Sequence, residues 1–182
     1  LLSLISAHFG SQREQVISER MKDWPDGLEE LTIDGWPIGS NDFALLPRKL
    51  RSLVCNTYTQ GWADNLLMRP LLSGTARTLP PNLHTLTLSR FFIPDSTCLM
   101  GLPSKSMTNL SLMNVSGISE SSMLRPLEGL PHLLLLRILF IMDYPSDGIA
   151  PCLKFLSRRL HTLILGYSES QDSKLEDKHF IN

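Results

Sequence analysis

The apolar positions of this chain fall into a short phrase that returns at irregular intervals. An apolar residue is followed by two variable ones, a second apolar residue, one variable residue and a third apolar residue. The first complete copy is Leu28-Glu29-Glu30-Leu31-Thr32-Ile33, and the second is Leu50-Arg51-Ser52-Leu53-Val54-Cys55. Leu83-His84-Thr85-Leu86-Thr87-Leu88 and Met107-Thr108-Asn109-Leu110-Ser111-Leu112 follow. Leu133-Leu134-Leu135-Leu136-Arg137-Ile138 and Leu160-His161-Thr162-Leu163-Ile164-Leu165 complete the series. Successive starts lie 22, 33, 24, 26 and 27 residues apart, and a further copy over residues 1–6 begins 27 residues before Leu28. Self-similarity at a period of ~20–50 residues marks stacked structural units.

Within a phrase, places four and six alternate with more polar places, the period-two pattern of a strand with one buried face. Between phrases the spacing becomes helical. Ser11-Gln12-Arg13-Glu14 reads as a capping box, with Val16, Ile17, Arg20, Met21 and Trp24 following on one face. Shorter helical turns are expected over residues 42–46, 64–72, 121–130 and 151–159. Proline stands two to four residues before five of the phrases, as Pro25, Pro47, Pro81, Pro103 and Pro131. In four places a leucine stands directly before a proline: Leu46-Pro47, Leu79-Pro80, Leu102-Pro103 and Leu130-Pro131. Proline ends a preceding helix and favours extended backbone, which suits the start of a strand. One strand and one helical turn have nothing to bury their leucines against, so neighbouring units must stack.

The phrase resembles the leucine-rich repeat, whose unit reads LxxLxLxxN/C-x-L, over essentially the whole chain. The ninth place, asparagine or cysteine in that family, holds Trp36, Tyr58, Phe91, Val115, Ile141 and Ser168 here. Unit lengths of mostly 24 to 27 residues are similar to the helical, ribonuclease-inhibitor-like and F-box-associated subtypes. The resemblance implies an α/β fold: a single solenoid over residues 1–182 of about six to seven irregular repeats. A curved parallel sheet would line its concave side, with helices or helical turns on the convex side. Residues 56–79, the longest interval, are expected to carry an insertion, and residues 168–182 a polar last-repeat helix or tail. In the run from Leu133 to Met142 nearly every residue is apolar, so that strand starts either at Leu133 or at Leu135, the same face being buried in both cases.

Composition narrows the function. With 17 basic against 18 acidic residues the net charge is −1, which excludes a dominant electrostatic attraction to nucleic acid or an anionic membrane. The apolar stretch from Leu133 to Met142 is ten residues long and interrupted by Arg137, well short of the ~20 a bilayer helix needs. Starting on Leu1 inside an apolar run, the chain reads as a piece of a larger protein. Cys55, Cys98 and Cys152 form no CxxC pair, so buried, reduced thiols and an intracellular setting, cytoplasmic or nuclear, are expected. No nucleophile elbow, phosphate loop, dinucleotide fingerprint, zinc-protease motif or calcium loop is found. His84 and His161 share the second place but lie three units apart, ~14 Å at ~4.8 Å per strand, too far to share a metal. The expectation is a protein that is not an enzyme and takes no cofactor, metal or small-molecule substrate.

What remains is the surface between the leucines. Places three, five and seven point away from places four and six, so they form the inner face of the sheet. From first unit to last, place three holds Glu30, Ser52, Thr85, Asn109, Leu135 and Thr162. Place five holds Thr32, Val54, Thr87, Ser111, Arg137 and Ile164, and place seven Asp34, Asn56, Ser89, Met113, Leu139 and Gly166. Polarity is graded, from acidic and hydroxyl-rich at the start to apolar at the end. Thr85, Thr87, Asn109, Ser111, Met113, Leu135, Leu139 and Ile164, with Arg137 as a charged anchor, are the candidate partner-binding residues for a protein partner. Two alternatives stay open: a segment of the larger chain folds over this face, or the register fails near Leu133 and these leucines are core. The helical-subtype resemblance implies the substrate-recruiting part of an F-box-like ubiquitin-ligase component. A secreted or cell-surface receptor ectodomain, using the sequons at Asn109 and Asn114, and a regulatory domain of a larger enzyme are the other readings.

Overall fold

Every apolar phrase becomes a strand in the computed structural model, which describes residues 2–8, 24–34, 42–56, 69–70, 75–118, 126–140, 154 and 156–167. In chain order the strands are β1 (Leu2–His8), β2 (Leu28–Asp34), β3 (Ser52–Asn56), β4 (Arg69–Pro70) and β5 (Thr85–Ser89). They continue with β6 (Phe91–Phe92), β7 (Asn109–Val115), β8 (Leu135–Phe140) and β9 (Thr162–Tyr167). Seven of them form one sheet in the order β1-β2-β3-β5-β7-β8-β9, all parallel, in a solenoid-like arrangement. From β2 to β9 the phrases pair place for place: Leu31 lies opposite Leu53, then Leu86, Leu110, Leu136 and Leu163.

A repeated hydrogen-bond device holds this register. The carbonyl at place two of one unit accepts the N–H of place two of the next. Arg51 N–H thus donates to Glu29 at 2.7 Å, His84 to Arg51 at 2.7 Å and Thr108 to His84 at 2.9 Å. Leu134 donates to Thr108 at 2.7 Å and His161 to Leu134 at 2.8 Å. From Arg51 onward the same carbonyl also takes the place-three N–H, as in Thr85 to Arg51 at 3.0 Å and Leu135 to Thr108 at 3.1 Å. A slip of one residue would break these shared bonds and turn every leucine to the wrong face.

The prolines before the phrases do more than stop a helix. The first N–H of the phrase closes a turn onto the carbonyl of Pro25, Pro47 or Pro80, at 3.0 to 3.1 Å from Leu28, Leu50 and Leu83. At the sixth phrase Ser157 takes that role, accepting from Leu160 N–H at 3.0 Å. Its hydroxyl also donates to the Pro131 carbonyl of the preceding unit at 2.7 Å, as Ser106 does to Pro81 at 2.9 Å. Fixed φ at proline and side-chain bonds at serine are two solutions to one turn.

Opposite the sheet, the described chain has short 3-10 turns, Asp42–Leu45, Thr75–Thr78 and Ser96–Cys98, and a helical turn at 126–128. The leucine before each proline ends such a turn: Leu46 N–H donates to Phe43, Leu79 to Ala76, Leu102 to Leu99 and Leu130 to Leu127. All eight side chains are buried, so each turn presents an i, i+3 apolar pair to the leucines of the sheet. Full helices are not seen among the described residues. Over 64–72, where a helical turn was expected, Arg69 and Pro70 instead form β4, paired in parallel with Phe91 and Phe92 of β6. Proline is tolerated there because this is a two-residue edge ladder. The capping box at residues 11–14 and the last segment, 168–182, lie outside the described residues, as does Cys152.

The interior is a set of columns. Places one, four and six of the units starting at Leu28, Leu50, Leu83, Met107 and Leu133 are all 2 % exposed or less. In the terminal unit Leu160, Leu163 and Leu165 are only partly buried, β9 being the end of the sheet. Phe91 and Val115, both at place nine, are buried as well, and the Phe91 ring tilts against Phe43 at 6.5 Å between centroids. In these two units apolar packing fills the place where the leucine-rich repeat carries asparagine or cysteine. The chain reaches it through a left-handed residue at place eight, Arg90 at φ 66° and Asn114 at φ 52°. Cys55 and Cys98 are free, buried thiols, and burial pushes both above the ordinary thiol range, helped at Cys55 by the Asp34 carboxylate.

Candidate functional site

Because places one, four and six are committed to the core, places three, five and seven stand on the opposite face of the sheet. Strand pairing aligns them into rows. Asn109, Leu135 and Thr162 lie side by side at place three, and Ser111, Arg137 and Ile164 at place five. Thr85 pairs with Asn109, Thr87 with Ser111, and Ser89 with Met113. At place seven Leu139 lies beside Gly166, and its Cδ2 is 3.5 Å from where a Cβ on that glycine would stand. The missing side chain leaves room over β9 that Leu139 borders.

All nine candidate residues thus sit on one face of four successive strands, β5, β7, β8 and β9, and all are half-buried. The start of β8 at Leu133 is also fixed. Leu133, Leu136 and Ile138 are core, while Leu135 and Leu139 are half-buried on the other side. The alternative in which those two leucines belong to the core is thereby excluded.

The two halves of the face differ in how their polar groups are used. Toward β2, polar side chains bond to each other across the strands. Asn56 Nδ2 donates to Asp34 Oδ1 at 2.6 Å, and Asn109 Nδ2 to Thr85 Oγ1 at 3.4 Å. Toward β9, Met113, Leu135, Leu139 and Ile164 surround one cation, Arg137. The Nε atom of Arg137 is buried and has no hydrogen-bond acceptor among the described residues. Sequence pattern placed Arg137 on this face, but an orphaned donor is a property of side-chain packing and leaves no trace in residue order.

The remaining chemistry is sparse. His84 and His161 are exposed, three strands apart, and His84 Nδ1–H donates to the Asn82 carbonyl at 2.6 Å. Among the described residues no three metal-ligating side chains converge, and no helix is long and apolar enough to cross a membrane. The gap lined by Phe43, Thr75, Ala76, Leu86 and Leu99 lies inside the core. One local feature escaped the sequence reading. Asp95 caps the Ser96–Cys98 turn, its Oδ1 accepting from Thr97 N–H at 2.7 Å and from the Thr97 hydroxyl. These bonds hold its carboxyl below the ordinary carboxylate range. No protein-family model matches the chain, and no curated protein or solved structure is significantly similar to it.

Proposed function

We propose that this chain is a divergent leucine-rich-repeat solenoid that recognises another protein on the face opposite its core, and that it carries out no reaction of its own. The observation that carries this reading is the row of Met113, Leu135, Leu139 and Ile164 on three adjacent strands, half-buried and outside the core. Apolar side chains in contiguous exposed positions are costly in water and mark interaction sites. A rigid parallel sheet is a suitable platform for them, because its rows hold side chains at fixed ~4.8 Å steps and little ordering is needed on binding. The phrase-level resemblance to leucine-rich repeats, a family of recognition scaffolds, supports the same reading.

The test is the double substitution Leu135→Glu and Leu139→Glu, with proteins captured from a cell extract quantified by mass spectrometry. The proposal expects a set of proteins retained by the wild type and lost by the variant, with circular dichroism and urea midpoint little changed. An identical captured set for both chains would remove this face from consideration.

A further inference from the structure

Resting on the docking reading above, we infer that the partner segment presents a carboxylate, flanked by apolar side chains, to Arg137. A guanidinium is charged at every relevant pH and its Nε–H is a donor that nothing can deprotonate. In the free chain that donor is buried without an acceptor, the costly state for a charged group. Its in-register neighbours are Ser111 on β7 and Ile164 on β9, and two residues away along β8 stand Leu135 and Leu139. Three of these four are aliphatic. A carboxylate arriving here would supply the missing acceptor in a weakly polar setting, where charge-assisted hydrogen bonds are strong and directional.

Charge on the face selects a carboxylate over a phosphate. Arg137 is the single basic residue among the described positions of the three outward columns, so one negative charge is balanced and a dianion is not. The carboxylates of the same face, Glu30 and Asp34, lie on β2, four strand steps away. That is ~19 Å at ~4.8 Å per step, beyond the ~8 Å screening length of physiological salt, so they do not repel the incoming group. Size selects a peptide over a small acid. The apolar row runs from Met113 on β7 to Ile164 on β9, ~10 Å across, the span of about three extended residues. A small carboxylic acid would leave most of it in water.

The experiment is selection of a random twelve-residue phage-displayed peptide library on the whole 182-residue chain, on Arg137→Glu and on Leu135→Ser/Leu139→Ser, with the pools sequenced. The strongest peptide is then synthesised with each Asp or Glu in turn replaced by its amide, and binding is read by fluorescence anisotropy. We expect wild-type peptides to place Asp or Glu among apolar residues, and one amide replacement to weaken binding about tenfold or more. Arg137→Glu is expected to select Lys or Arg at that position. Should Arg137→Glu fail to fold, the acid-to-amide series on the unaltered protein decides alone. Peptides that bind through Leu135 and Leu139 yet are indifferent to the amide replacement overturn the carboxylate inference and leave the docking face standing. A library yielding no peptide sensitive to Leu135→Ser/Leu139→Ser overturns the docking face itself.

Discussion

Leu110 and Leu135 are the same residue type on neighbouring strands with opposite fates, and their truncation to alanine separates core from open face. Leu110 lies at place four of β7, fully buried, in register with Leu86 on one side and Leu136 on the other. Removing three carbons at ~0.8 kcal/mol each loses about 2.4 kcal/mol of burial. The cavity adds more, because parallel strands fixed by shared hydrogen bonds relax poorly, and about 3–4 kcal/mol in total is expected. Leu135 stands at place three of β8 and is half-buried on the other face. Roughly half the burial term applies and no closed cavity forms, so about 1 kcal/mol is expected. Urea unfolding followed by circular dichroism measures both, with an unchanged m-value confirming that the folded state is the same. Equal losses, or a larger loss for Leu135, would refute the assignment of faces on which the docking surface depends.

Two further outcomes follow from local geometry. Gly117 has φ +77°, and a Cβ there would stand 2.6 Å from Phe92 Cε2 and 2.8 Å from the Ile93 carbonyl oxygen. Gly117→Ala is therefore expected to lower the urea midpoint by an amount equivalent to ~1–3 kcal/mol, the cost of a strained left-handed residue. Asp95 has a folded-state pKa below its unfolded value, so its cap contributes fully above the ordinary carboxylate range and is lost as pH falls through the lowered value. An NMR titration should find the Asp95 carboxyl titrating below a free aspartate, and in Asp95→Asn the pH dependence of the Thr97 amide should vanish.

The strand positions and their facing were legible because burial in a stacked sheet imposes a strict rule on side-chain type. Leu31, Leu53, Leu86, Leu110 and Leu136 share one column, and nothing polar survives there. The run from Leu133 to Met142 was ambiguous for the converse reason: when both faces are apolar the period-two signal disappears, and only pairing with β7 fixes the register. The Leu-Pro words were visible, but their double use was not. The leucine ends a turn that closes the core, and the proline carbonyl receives the first N–H of the next phrase in three units. Helical turns were expected over 64–72 from apolar spacing, whereas Arg69 and Pro70 pair with Phe91 and Phe92, a long-range choice that local spacing does not encode. The orphaned Nε of Arg137 belongs to the same class, since burial by neighbours 25 or more residues away creates it.

The central claim is that successive phrases stack in parallel, place for place, and a pair of disulfide tests reads this directly. Thr87 and Ser111 are paired across β5 and β7, while Met113 is two residues further along the same face and pairs with Ser89. In-register neighbours in a parallel sheet stand ~4.8 Å apart, inside the 4.4–6.8 Å Cα range a disulfide spans, and the offset pair lies outside it. Oxidation of Thr87→Cys/Ser111→Cys, followed by peptide mapping to set aside the buried Cys55 and Cys98, should give the crosslink readily. Thr87→Cys/Met113→Cys should give little or none. Efficient crosslinking of the offset pair, or none in the aligned pair, would contradict the stacking of phrases and with it the docking face.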